Sequence, residues 1–142
     1  MSDADSSLPP SGQTLQIALS SLVATLNARS IRYAIIGGIA TIQHTRVRTT
    51  NDTDALLNVS QVGTPGMFEA LQSNGFSVDL KSNLRELRED GLTSIRYYDV
   101  LVDLMRPVLP AFSHVLDRAV QTEIFGQPVR ISTAEGTYQE RA

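Results

Sequence analysis

Asp52-Thr53-Asp54-Ala55-Leu56-Leu57-Asn58-Val59 is the stretch on which the fold turns. Its pattern alternates. Thr53, Ala55, Leu57 and Val59 share one face of a strand and Asp52 and Asp54 the other, since successive side chains of a strand point to opposite sides. Ala55-Leu56-Leu57 carries the strand into a core. Two neighbouring carboxylates repel unless a cation sits between them. Mg²⁺ prefers hard oxygen ligands and often takes one or two carboxylates together with substrate phosphates. The competing reading is a solvated Asp-x-Asp at a turn that begins with Asn51-Asp52.

Upstream of this stretch, residues 1–13 read as a flexible N-terminal tail, and 14–142 as a single domain. Leu15, Leu19, Leu22, Val23 and Leu26 fall at helical spacing, which predicts an amphipathic helix over about Thr14 to Arg29. Ile31 to Gly37 has the β-branched and aromatic content of a short buried strand. Gly37-Gly38 ends it, and Ile39 to Thr45 reads as a short helix that starts at the glycines. An apolar strand, two glycines and a helix start form a corner suited to phosphate: glycine lets a ligand approach the backbone, and free N–H groups at a helix start attract anions. The alternative is a tight strand-to-helix turn. Arg46 to Asn51 reads as a loop.

Downstream, Gly63-Thr64-Pro65-Gly66 is a turn, with Thr64 a candidate cap and Pro65 at the first position of a helix that runs to Asn74-Gly75. Phe76 to Leu80 reads as a weak strand. Asn83 to Asp90 is charged, a solvated helix or loop closed by Gly91. Thr93 to Tyr98 and Val100 to Met105 read as adjacent strands. Pro110 starts a helix reaching about Gln121, and Gln127 to Ser132 is a last strand. Strands and helices interleave, so the class is α/β or α+β. Within Val100-Leu101-Val102-Asp103-Leu104-Met105, Asp103 stands out. A carboxylate in an apolar strand is costly unless paired, hydrogen-bonded or metal-bound. An ion pair with Arg106 or Arg48 is the alternative to a metal.

Composition limits the chemistry. The chain has 142 residues, no cysteine and two histidines, His44 and His114. That excludes cysteine nucleophiles, thiolate metal sites and disulfide frameworks, and makes a histidine-rich zinc site a poor fit. The net charge of −3 does not favour non-specific binding to nucleic acid or anionic membranes. No apolar run reaches the roughly 18 residues a membrane span needs. The start, Met1 to Pro10, is acidic and polar and lacks the pattern of a signal peptide, so a cytoplasmic protein is expected. The basic residues are eleven Arg and one Lys, Lys81. No acid lies between Asp5 and Asp52, where Arg29, Arg32, Arg46 and Arg48 occur. A positive segment running into a carboxylate pair suits a polyanion plus a metal.

Taken together, Ile36-Gly37-Gly38, thirteen intervening residues, Asp52-Thr53-Asp54 and a later strand with Asp103 resemble the nucleotidyltransferase superfamily. That superfamily includes DNA polymerase beta and the antibiotic and bacterial toxin-type nucleotidyltransferases. The toxin-like branch carries Gly-Gly-x-Ala, a His near the helix end and Arg-x-Thr-x-Asp-x-Asp. Here these are Gly37-Gly38-Ile39-Ala40, His44 and Arg48-Thr49-Thr50-Asn51-Asp52-Thr53-Asp54. The resemblance covers about residues 15 to 132. Its departures are Thr53, where the family usually has an aliphatic residue, and an end at Ala142, where relatives commonly continue into further helices. A minimal form, a shortened chain and a site completed by a partner chain all fit that end.

The resemblance implies a mixed β-sheet flanked by helices and transfer of a nucleoside monophosphate from a nucleoside triphosphate to a hydroxyl acceptor. It implies Asp52, Asp54 and Asp103 as catalytic and metal-binding residues of a two-Mg²⁺ site. Gly37, Gly38, Thr41 and Arg48 are implied as nucleotide-binding. The acceptor is an RNA end, a protein or a small molecule, and an antitoxin is a candidate partner. The alternative is a catalytically silent nucleotide-binding or toxin–antitoxin-type module of the same fold.

Overall fold

The computed structural model describes residues 11–36, 52–108, 110–124 and 126–132, with the backbone alone described at 11–13, Asp52 and Gln127. Gly37, Gly38, Ala40, Thr41, His44, Arg46 and Arg48 lie outside the described residues. The elements run α1 (Ser11–Ala28), β1 (Arg32–Ile36), β2 (Asp52–Asn58), α2 (Thr64–Ser73), α3 (Leu80–Asp90), β3 (Leu92–Tyr97), β4 (Val100–Met105), α4 (Pro110–Arg118), β5 (Val120–Ile124) and β6 (Gln127–Ile131). The expected α+β class is the one found: four helices and a six-stranded mixed sheet in the order β3-β4-β2-β1-β6-β5. β1–β6 and β2–β4 are parallel pairs, and the others are antiparallel.

The alternation of β2 sets the two faces of the sheet. Thr53, Ala55 and Leu57 turn to the larger core, with Tyr33 and Ile35 of β1, Val102 and Leu104 of β4 and Ile95 of β3. Helices α1 to α3 close this face with Leu19, Leu22, Leu26, Phe68, Leu71 and Leu87. On the opposite face Ala34, Ile36, Leu56 and Met105 pack under Phe112, Val115 and Leu116 of α4. Thr53 therefore sits where an apolar side chain is usual. It is 1% exposed, and its Oγ1 has no hydrogen-bond partner among the described residues.

Local chemistry explains the helix ends. Ser30 leaves α1 in the left-handed region at φ 56°, and the Ile31 N–H donates to the Leu26 carbonyl at 2.9 Å. This closes the last turn by a bond spanning five residues, the Schellman geometry, without the usual glycine. α1 begins at Ser11, three residues before the expected start at Thr14. α2 is preceded by Gly63 with no side-chain cap, and the Thr64 hydroxyl donates back to the Ser60 carbonyl at 2.7 Å.

Three sequence expectations need correction here. Phe76 to Leu80 is not a strand. Only Ser77 forms an isolated bridge, to Arg96, and Leu80 already belongs to α3. Asp79 caps that helix by accepting the Ser82 N–H at 3.3 Å, so the helix starts three residues before Asn83. The helix from Pro110 stops at Arg118 rather than near Gln121, and Val120–Ile124 forms the edge strand β5. Arg130 fixes that stop, donating from Nη2 to the Leu116 carbonyl at 3.3 Å and the Ala119 carbonyl at 3.2 Å.

Candidate active site

The sheet register assembles the site. Asp54 pairs with Ile36 of β1 on one side and with Asp103 of β4 on the other, and Asp103 pairs with Ser94 of β3. A row of four residues, Ile36–Asp54–Asp103–Ser94, thus crosses four strands. Paired positions in a sheet share a face, so Asp54 and Asp103 stand side by side at the strand spacing of about 4.8 Å. This face is the one that α4 covers, and the row lies at the margin of its apolar patch: Ile36 packs against that patch while Asp103 and Asp54 are half-buried. Asp52 opens β2, its backbone paired with Leu101. The chain leaves β1 at Ile36, so the residue before Gly37-Gly38 adjoins Asp54 directly.

Asp103 has a defined partner. The Ser94 hydroxyl donates to its Oδ1 at 2.5 Å. The alternative reading, an ion pair of Asp103 with Arg106, does not form. Arg106 lies one residue past the end of β4. Arg106 instead donates from Nε to the Leu87 carbonyl at 2.8 Å and from Nη2 to the Arg88 carbonyl at 2.9 Å. It therefore caps the carbonyl end of α3, where a cation also suits the helix dipole. Among the described residues Ser94 is the hydrogen-bond partner of Asp103.

The two described arginines of the acid-free segment, Arg29 and Arg32, take separate places. Arg32 donates from Nη2 to Asp117 Oδ1 of α4 at 2.6 Å, an exposed ion pair. This hydrogen bond, with the charges of Arg32 and His114, holds the Asp117 carboxyl below its ordinary value. The Arg29 guanidinium lies against the first turn of α2, so close that a Cβ on Gly66 would meet it at 2.4 Å. His114 is exposed on α4. Tyr97 packs edge-on to Phe76 with ring centres 5.1 Å apart, at the border of the larger core.

Two residues that sequence reasoning did not single out belong to this site, Ser94 and Asn83. Asn83 is buried at 5% exposure and joins α3 to β3. Beside Ser94 a groove of about 420 Å³ runs along the β3 edge, lined by Ser77, Asp79, Asn83, Arg96 and Leu101. Among the described residues no group of three or more His, Cys, Asp or Glu side chains forms a metal cluster. Two of the three expected carboxylates, Asp54 and Asp103, are nevertheless brought together, and their hard oxygens suit Mg²⁺. Ser94 takes one lone pair of Asp103 Oδ1, which leaves Oδ2 and a second Oδ1 lone pair for a cation.

No helix among the described residues is long and apolar enough to cross a membrane. A scan of the chain against protein-family models finds no match, and a search of curated proteins finds none either.

Proposed function

We propose that the chain is a Mg²⁺-dependent nucleotidyltransferase that acts in the cytoplasm. It moves a nucleoside monophosphate from a nucleoside triphosphate to a hydroxyl acceptor and releases pyrophosphate. The observation that carries this reading is the in-register pairing of Asp54 with Asp103, with Ile36, and hence the approach to Gly37-Gly38, on the other side of Asp54. Carboxylates from parallel neighbours, beside a glycine corner, form a compact arrangement for a metal and a triphosphate.

Asp52, Asp54 and Asp103 would hold one or two Mg²⁺ ions, which when bound supply charge neutralisation along the triphosphate. Gly37 and Gly38 would offer backbone N–H groups to the β and γ phosphates, with Thr41 as a further nucleotide-binding residue. The Arg48 guanidinium pairs with phosphate oxygens through two parallel hydrogen bonds. Asp103 draws the proton from the acceptor hydroxyl. That oxygen then bonds to the α phosphorus as the bond to the bridging α–β oxygen breaks, and pyrophosphate leaves. Such transfer is mainly positioning and electrostatics, so a small domain suffices.

The test incubates the protein with each nucleoside triphosphate labelled at the α phosphate, with Mg²⁺ or EDTA. RNA, protein and small hydroxyl compounds are offered as acceptors. Mg²⁺-dependent pyrophosphate release, with label in one acceptor class, is the expected result. Asp54→Asn and Asp103→Asn abolish it while still folding. Wild-type release in either variant refutes the reading.

A further inference from the structure

We propose that Ser94 and Asn83 are positioning residues for Asp103, an outer layer of the metal site; this rests on the nucleotidyltransferase reading above. Ser94 lies on the edge strand β3 with an exposed side chain, where water would satisfy a hydroxyl. Its hydroxyl is instead committed to Asp103 Oδ1 at 2.5 Å, the short end of the O–H···O range. A carboxylate rotates easily about its last side-chain bond, whose torsion has no sharp preference. The Ser94 bond removes that freedom and presents the remaining lone pairs in one direction.

β3 pairs with β4 on one side and on the other carries only the isolated Ser77–Arg96 bridge, so Ser94 itself needs an anchor. Asn83 is that anchor. Its Oδ1 accepts the Asp79 N–H at 2.9 Å. A backbone N–H only donates, which fixes the orientation of the amide and turns both Nδ2 hydrogens the other way. Nδ2 donates to Thr93 Oγ1 at 2.7 Å and to the Ser94 carbonyl at 3.1 Å. Thr93 Oγ1 passes its own hydrogen to Glu86 Oε1 at 2.7 Å. The buried amide thus grips the backbone of the residue whose hydroxyl holds Asp103. The chain of contacts runs from the start of α3 to the carboxylate with each donor used.

Partners of a metal ligand typically contribute about 10- to 100-fold to metal affinity. The test titrates Mn²⁺ alone, a paramagnetic substitute for Mg²⁺, into the full chain and follows the free aquo-ion by electron paramagnetic resonance. Unfolding midpoints without metal are measured in parallel. Ser94→Ala is expected to weaken Mn²⁺ binding by about 10- to 100-fold with an unchanged metal-free midpoint. Ser94→Thr, which keeps the hydroxyl, restores binding. Wild-type Mn²⁺ affinity in Ser94→Ala, with weakened binding in Asp103→Asn, overturns the positioning role and leaves the metal site standing. Wild-type affinity in both Asp54→Asn and Asp103→Asn overturns the metal reading itself and the positioning role with it.

Discussion

Replacing Asn83 with alanine removes a side chain that is only 5% exposed and carries three hydrogen bonds, two donated and one accepted. A typical intramolecular hydrogen bond contributes about 1 kcal/mol net. The three partners differ in what they lose. Thr93 Oγ1 is buried but keeps Glu86 as its acceptor. The Asp79 N–H and the Ser94 carbonyl belong to exposed residues and find water in place of the amide. The sum therefore falls below the full three bonds, at roughly 2–3 kcal/mol once the lost packing between α3 and β3 is included. For a domain of this size each kcal/mol moves the midpoint by about 2–4 °C, so a fall of roughly 5–10 °C is expected.

Urea denaturation followed by circular dichroism measures this change, with the midpoint concentration falling at constant slope. Asn83→Leu is the matching variant. Leucine fills a similar volume yet satisfies none of the three polar groups, so it is expected to be at least as destabilising as alanine. A loss below about 0.5 kcal/mol in Asn83→Ala, or a gain in stability in Asn83→Leu, refutes the account of Asn83 as the strap between α3 and β3.

Two further predictions concern the surroundings. Gly75 has φ +108°, and a Cβ there would meet Tyr97 Cε2 at 2.8 Å, so Gly75→Ala is expected to cost about 1–3 kcal/mol in thermal or chemical unfolding. A variant as stable as wild type contradicts that close approach. Asp117 titrates below the ordinary 3.8 in the folded chain, so its contribution is present above the unfolded value and fades as pH falls through the folded one. Carboxyl NMR of Asp117 is expected to show a higher midpoint in Arg32→Gln, and a smaller depression in wild type at high salt. Equal midpoints in wild type and variant rule out the Arg32 contact as the cause.

Much of this architecture was legible from periodicity. Thr53, Ala55 and Leu57 alternate with Asp54 and Leu56, and a period of two has only one arrangement with a buried face, so β2 and the side carrying Asp54 followed at once. The adjacent runs 93–98 and 100–105 became the β3–β4 hairpin with Tyr98 in its two-residue turn at φ 55°. The misread places are those where two periods compete. Val120–Ile124 continues the helix pattern from Pro110 for a few residues, and its pairing with β6 decides the matter. Leu80 completes an apolar-looking run after Phe76, yet the Asp79 cap draws it into α3. Ser94 and Asn83 had no local signal. Their roles exist only through the β3–β4 register and the docking of α3, which are facts about distant pairs.

That distance has a kinetic meaning. Asp54 and Asp103 pair across a parallel connection that must first lay down α2, α3 and β3. Closing so long a segment carries a loop entropy that local hairpins avoid, and non-local parallel pairing is slow for the same reason. The β3–β4 hairpin can bring Ser94 to Asp103 early, whereas Asp54 joins them only when β2 docks on β4. The paired acids therefore come into being with the central pairing of the sheet, and a chain interrupted between β2 and β4 holds each carboxylate without the other.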